Sequence, residues 1–196
     1  MRQATATRPI FRFNRIAHRY ELDGAEIPHI TSMLVDTGHI DDLWMTEEGR
    51  DRGTIVHQLC TDYDLRAIAD PGAVDCEHKG YFLAYVDAMR RIKPRWTHIE
   101  MAMVDPVRRW GGRPDRCGVI WGAKAVLEIK SGARHPATGI QLALQAMLVA
   151  PEWSLPPEAI LRYELRLKAN GKATLDEHRD QGDFRKAAEV IDACCK

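Results

Sequence analysis

Three charged residues in the middle of the chain have the types and spacing of a hydrolytic metal site. Asp115 is followed, a dozen residues later, by Glu128 and Lys130. Residues two apart in a strand point to the same face, so Glu128 and Lys130 would lie side by side. If the chain turns at Gly122-Ala123, Asp115 lies opposite Lys130 and diagonal to Glu128, about 7–8 Å away at the backbone.

Two carboxylates at that separation can converge on one hard cation such as Mg²⁺, which prefers oxygen ligands. The backbone carbonyl of Ile129 offers a further oxygen. A bound divalent cation would activate water for phosphodiester hydrolysis, and the Lys130 ammonium could orient that water. Asp and Lys on adjacent strands also form exposed ion pairs worth ~1 kcal/mol or less. The spacing alone therefore leaves both interpretations open.

The elements that would position these residues follow from hydrophobic periodicity and turn signals. The pattern predicts helices over residues 41–69, 77–93, 137–149 and from about 184 to the C-terminus. It predicts strands over residues 12–22, 96–104, 110–120, 125–130 and 159–168, with hairpin turns at Asp23-Gly24 and Asn170-Gly171. This order indicates an α/β domain with a mixed sheet.

The bulk properties suit one soluble domain. Lys plus Arg and Asp plus Glu each number 28 in 196 residues, which argues against non-specific coating of nucleic acid but allows a local basic patch. The sequence contains no stretch of ~20 apolar residues and no signal-peptide block at the N-terminus, so we expect a cytoplasmic protein without a membrane partner. The five cysteines form no CxxC pair, which favours free thiols.

The flanks of the charged residues extend the pattern. Pro114-Asp115 followed by Glu128-Ile129-Lys130 resembles the motif that names the PD-(D/E)XK nuclease superfamily. The segment Arg52-Gly-Thr-Ile-Val-His57 resembles the RG-x-x-x-H signature of RecB-type nucleases, and Gln141-Leu-Ala-Leu-Gln145 resembles their Q-x-x-x-Y motif. The stretch from His18 to Thr31 is similar to the N-terminal hairpin of phage-type and RecB-like exonucleases. The resemblance covers most of residues 18–168.

The resemblance implies a restriction-endonuclease-like core, a central mixed sheet flanked by helices in the order αβββαβ. It implies one nuclease domain over 1–196, with a hairpin and helical region at about 12–93 and a catalytic core at about 94–168. It further implies a Mg²⁺ or Mn²⁺ site and a catalytic helper glutamine. The implied metal ligands are His57, Asp115, Glu128 and Ile129, and the implied catalytic residues are Asp115, Glu128, Lys130 and Gln141.

Two further positions are candidates within the same resemblance. Glu100 matches the acidic position that often precedes the PD strand, although an exposed strand glutamate is an equal alternative. Gln145 replaces the usual tyrosine. A glutamine can hydrogen-bond a phosphate but cannot stack on a base. The iron–sulfur branch of the group needs a downstream cysteine triplet, which Cys194-Cys195 does not supply, so no cluster is predicted.

The implied activity is hydrolysis of DNA, at double-stranded ends or in single strands, by an exonuclease of recombination, repair or phage DNA processing. Local basic residues would contact the nucleic acid backbone, and the candidates are Arg113, Arg116 and Arg134. A homo-oligomer or a recombination or helicase partner is compatible with this activity. The alternative is a catalytically silent nuclease fold that binds nucleic acid or a helicase-type partner.

Overall fold

The computed structural model describes residues 9–41 and 46–195. The elements in chain order are β1 (Phe11–Asn14), β2 (Arg19–Leu22), β3 (Ala25–Ile27), α1 (Ile30–Asp36), α2 (Glu47–Asp64), α3 (Lys79–Ile92), β4 (Arg95–Ile99), β5 (Met103–Asp105), β6 (Trp110–Gly112), β7 (Arg116–Ile120), β8 (Ala123–Lys130), α4 (Thr138–Trp153), β9 (Leu161–Leu167), β10 (Ala173–Glu177) and α5 (Gly182–Cys194). Short 3-10 turns cover Pro71–Ala73 and Pro157–Ala159. Residues 42–45, within the predicted helix over 41–69, and the C-terminal Lys196 lie outside the described residues.

A central five-stranded sheet in the order β10-β9-β8-β7-β4 organises the molecule. Its β8–β9 pair is parallel and its other pairs are antiparallel. A parallel pair needs a crossover connection, and α4 supplies it between β8 and β9. The predicted mixed sheet flanked by helices is therefore confirmed, with α3, β4, β7, β8, α4 and β9 in the αβββαβ order.

Each face of the sheet has its own core. On one face, α2 and α3 pack through residues such as Val56 and Tyr85 against Leu127 and Ile129 of β8. On the other face, α1, α4 and α5 pack against Val126 of β8 and its neighbours. This alternation along β8 places the odd-numbered residues towards α2 and the even-numbered ones, including Glu128 and Lys130, on the α4 side. Within the described parts of the chain, no helix is both long enough and apolar enough to cross a membrane.

Three predicted strands are each divided in two. The strand predicted over 96–104 ends at Ile99, where Glu100 adopts a left-handed backbone conformation (φ 48°). Beyond it, β5 pairs with β6 in a separate two-stranded sheet. The strand predicted over 110–120 is interrupted by Arg113-Pro114-Asp115, since proline offers no N–H for a ladder. The strand predicted over 12–22 turns back on itself between β1 and β2.

The β7–β8 hairpin differs from the predicted register by two residues. The turn consists of Trp121 and Gly122 alone, both with positive φ (48° and 87°), as a type I′ hairpin turn requires. Ile120 pairs with Ala123, and the ladder continues in that register to the start of β7. The predicted pairing of Asp115 with Lys130 is therefore wrong. A two-residue slip preserves the face of every side chain, which is why the same charged residues still meet.

The close approach of β4 and β7 at Gly118 generates a stability prediction. A Cβ on Gly118 would lie 2.2 Å from the carbonyl oxygen of Arg95 and 2.8 Å from the Cα of Trp96. We expect Gly118→Ala to lower the free energy of unfolding by about 1–3 kcal/mol, because backbone atoms must move to admit the methyl group. Urea denaturation measures this change.

Gly53 in α2 provides the control. A Cβ there meets nothing within 4 Å, so Gly53→Ala should raise the free energy of unfolding by about 1 kcal/mol through helix propensity. An unchanged urea midpoint in Gly118→Ala would contradict the close approach of the two strands.

Candidate metal and catalytic site

The predicted site residues meet where α2, β4, β7 and β8 converge. His57 lies on α2, Glu100 directly follows β4 and Asp115 directly precedes β7. Glu128 and Lys130 lie at the C-terminal end of β8, on the side that α4 covers. The interruption of both predicted strands at Glu100 and Asp115 thus places two carboxylates at one end of the sheet.

His57 is the centre of a compact group of acceptors. Its Nδ1 lies 3.3 Å from Glu100 Oε1 and 3.3 Å from Asp115 Oδ1. Its Nε2 lies 3.1 Å from the carbonyl oxygen of Ile129. Ligand atoms of His57, Glu100 and Asp115 all lie within 4.8 Å of one another, close enough to hold one metal ion.

The surroundings of His57 favour its protonated form. Burial lowers its pKa, but the charges of Asp115 and Glu100 and the hydrogen bonds to them outweigh burial and raise the pKa to about 10. Both ring nitrogens face oxygen acceptors, as an imidazolium with two N–H donors requires. In the metal-free protein, a protonated His57 therefore provides the positive charge that the two carboxylates need.

The two carboxylate oxygens of Asp115 make different contacts. Its Oδ2 accepts a hydrogen bond of 2.7 Å from the backbone N–H of Ile129, while its Oδ1 faces His57. Its side chain is only 8% exposed. The backbone of β8 thus fixes the carboxylate in place, with one oxygen directed to the cluster.

Glu128 belongs to a second, adjoining network. Lys130 Nζ donates to Glu128 Oε1 (2.8 Å) and to Gln141 Oε1 (3.0 Å). Gln141 Nε2 donates to Glu128 Oε1 (2.8 Å), and Gln145 Nε2 donates to Glu128 Oε2 (2.6 Å). The two glutamines act together because residues four apart share a helix face. Glu128 lies outside the compact group formed by His57, Glu100 and Asp115.

Gln145 does not occupy the position expected of a phosphate contact. It is 2% exposed, and its amide N–H donates to Glu128. Its other amide atom, Oε1, is buried without a partner in the described part of the chain. In this structure Gln145 therefore holds the carboxylate of Glu128.

The three arginines proposed as nucleic-acid contacts have different surroundings. Arg113 is 22% exposed, and its Nε lies 3.2 Å from Glu100 Oε2. Arg134 is 71% exposed and pairs with Asp176 at 2.7 Å. Arg116 is fully buried. Its guanidinium is enclosed by the protein, so this structure shows no surface of Arg116 that faces a phosphate.

Arg116 instead joins α2 to the sheet. Its Nε donates to Asp64 Oδ2 (2.6 Å), its Nη1 to the carbonyl oxygen of Asp115 (2.6 Å), and its Nη2 to Thr61 Oγ1 (3.3 Å). Thr61 and Asp64 are not among the residues that the sequence predicts for the site. They follow His57 by four and seven residues, which places all three on one helix face. This spacing is the sequence feature that indicates their place beside the site.

The donor set suits a divalent cation. Carboxylate oxygens are the preferred ligands of Mg²⁺ and Mn²⁺, and imidazole is also accepted by transition metals. His57, Glu100 and Asp115 supply such donors within 4.8 Å. Because a ligating histidine is neutral, uptake of a cation through His57 must release the proton that the metal-free protein holds.

Among known proteins, similarity to this chain is found in solved structures. No family model and no curated protein matches the chain. A protein of Eubacterium rectale, provisionally described as an exonuclease, is similar over 83% of this chain and 69% of its own, with 13% identity and a TM-score of 0.47. LHK-Exo in complex with dAMP is similar over 85% of each chain, with 12% identity and a TM-score of 0.36. Because both TM-scores are below 0.5, neither similarity says what this chain does.

The raised pKa of His57 predicts how stability depends on pH in the absence of metal. The folded-state pKa of about 10 exceeds the ordinary 6.5, so the ion pairs of His57 contribute fully below pH 6.5. That contribution is lost as the pH rises through 10. In EDTA, the urea midpoint of the wild-type protein should fall more between these two pH values than that of His57→Gln. Equal decreases in the two proteins would contradict the protonated His57.

Proposed function

We propose that this protein is a divalent-metal-dependent nuclease that hydrolyses phosphodiester bonds in DNA, acting as an exonuclease in recombination, repair or phage DNA processing. One observation carries the proposal: His57, Glu100 and Asp115 form a compact ligand group that contacts the backbone of Ile129, and the next residue, Lys130, has a side chain that is 29% exposed. Attack of water on a phosphodiester requires metal ligands and a nearby positively charged side chain, here the lysine ammonium.

In this proposal the cation is Mg²⁺ or Mn²⁺. His57, Glu100 and Asp115 would hold it, together with the carbonyl oxygen of Ile129 and with Glu128, whose carboxylate lies on the neighbouring network. When bound, the cation supplies an activated water and offsets negative charge on the phosphate.

The protein's own groups orient the reaction. Lys130 is positioned by hydrogen bonds to Glu128 and Gln141, so its ammonium is held in one direction and can orient the attacking water. It can also stabilise negative charge that develops on the phosphate oxygens. Gln141 and Gln145 are positioning residues, since each acts by holding Glu128. Arg113 and Arg134 are the proposed contacts to the DNA backbone.

The direct test is hydrolysis of end-labelled DNA with Mg²⁺ or Mn²⁺. Asp115→Ala and Glu128→Ala should each lower the rate by about 10²-fold or more through loss of the metal site. Lys130→Ala should lower the rate by about 10²–10³-fold, which is the effect of removing one donor to the transition state in other enzymes. Rates are measured by gel separation of the labelled products.

The matched controls are an acid and a base outside the site. Glu189→Gln, on the exposed face of α5, and Lys172→Ala, beside the β9–β10 turn, should retain the wild-type rate. Full activity in all three site variants would exclude the proposed active site.

A second candidate function is a nuclease fold that binds nucleic acid or a helicase-type partner without catalysis. The observation that favours it is Glu128, whose two oxygens are already held by donors from Lys130, Gln141 and Gln145. A carboxylate so engaged is less available to a metal ion than a free one.

Thermal unfolding with and without metal separates the two candidates. A cation that binds the native state at a hundred times its Kd stabilises it by about 2.7 kcal/mol, which raises the Tm of a chain this long by about 5–10 °C. We expect that rise for the wild-type protein and for Glu189→Gln, and its loss in Asp115→Asn. An unchanged wild-type Tm at millimolar Mg²⁺ and Mn²⁺ would favour the silent module.

A further inference from the structure

An open cleft of about 610 Å³ lies along β4, at the ends of α2 and α3. Because β4 is an edge strand of the central sheet, this flank of the strand has no neighbouring strand. The volume falls in the usual range for small-molecule and nucleotide sites. No residue of the cleft belongs to the metal group, so the cleft adjoins that group without including it.

The rim of the cleft is positively charged. Arg66, Arg90 and Lys93 line it and are exposed. Within the described ranges, none of the three has an acidic partner. Asp64, the acid in the lining, is 6% exposed and bonded to Arg116 at 2.6 Å. The rim therefore has three cations that are free to meet an anion.

The wall of the cleft is aromatic. Tyr63 and Trp96 are both half-buried and line the cleft. The indole N–H of Trp96 is shielded from solvent and has no hydrogen-bond acceptor among the described residues. Cations that track phosphates together with aromatic rings that accept bases are the features of a single-strand binding groove.

The cleft begins next to the metal group. Ile99, at its near end, directly precedes Glu100. Asp64 follows His57 by seven residues on α2, which corresponds to roughly 10 Å along the helix axis. That distance matches about three base steps at 3.4 Å each, so a strand whose phosphate lies at the metal group can reach the cleft.

We infer that this cleft binds single-stranded nucleic acid a few nucleotides from the cleaved phosphate. The inference rests on the proposed nuclease function. Arg66, Arg90 and Lys93 contact phosphates, and Trp96 and Tyr63 contact bases that are unpaired. Paired and stacked bases inside a duplex would not present their faces to such a wall.

The test measures binding of a fluorescein-labelled dT15 oligonucleotide by anisotropy in EDTA, where no hydrolysis occurs. The variant Arg66→Ala/Arg90→Ala/Lys93→Ala should bind at least ten-fold more weakly. Its plot of log affinity against log salt should be shallower by about 2, since each phosphate contact to a single strand contributes roughly 0.7. All three residues are exposed, so the variant should retain the wild-type Tm.

The matched control removes three cations elsewhere. Lys168 and Lys172 flank the β9–β10 turn at the opposite edge of the sheet, and Lys186 lies on α5. Lys168→Ala/Lys172→Ala/Lys186→Ala should bind dT15 as the wild-type protein does. Equal weakening in both triple variants would overturn the inference, because it would indicate only a general effect of charge.

Two further outcomes would also overturn it. One is unchanged dT15 binding in the Arg66, Arg90 and Lys93 variant. The other is displacement of dT15 by polyglutamate at equal charge concentration, which would assign the cleft to an acidic peptide.

Cleavage assays keep this inference distinct from the proposed function. If the wild-type protein cleaves DNA but the Arg66, Arg90 and Lys93 variant binds dT15 normally, the inference about the cleft is wrong and the nuclease proposal is unaffected. Asp115→Asn should lose cleavage and still bind dT15 through the cleft. A wild-type protein that never cleaves defeats the nuclease proposal, whatever the binding result.

Discussion

The buried guanidinium of Arg116 is the interaction on which the site depends. It bonds Asp64 of α2 and the backbone of Asp115 at once, so it holds the helix that carries His57 against the strand that follows Asp115. Removing one partner of a buried ion pair leaves an uncompensated charge, at a cost of about 3–5 kcal/mol. The position of His57 relative to Asp115 is therefore determined by a residue that is fully buried.

Charge balance around Arg116 accounts for the protonation of His57. Glu100, Asp115 and Asp64 are three nearly buried carboxylates, and buried carboxylates require cations close by. Arg116 and Arg113 supply two, and protonated His57 supplies a third. A divalent cation would therefore enter by replacing the proton on His57, which couples metal affinity to pH.

The site has two adjoining parts with different environments. The group around His57 offers ligand atoms to a common centre, whereas Glu128 is surrounded by donors from Lys130, Gln141 and Gln145. Gln145 is buried, and its amide N–H holds Glu128 within the protein. The same network holds the ammonium of Lys130 by hydrogen bonds to Glu128 and Gln141.

The sequence by itself determined the local relationships. Alternation along β8 placed Glu128 and Lys130 on one face, the four-residue spacing placed Gln141 and Gln145 together, and the order of elements indicated the mixed sheet. These relationships depend on backbone period, which short segments specify. Only the tertiary structure decided the two-residue register of the β7–β8 hairpin, the break at Glu100 that brings its carboxylate to His57, and the burial of Arg116. Those features arise from turn conformation and from contacts between residues far apart in the chain, which no local pattern encodes.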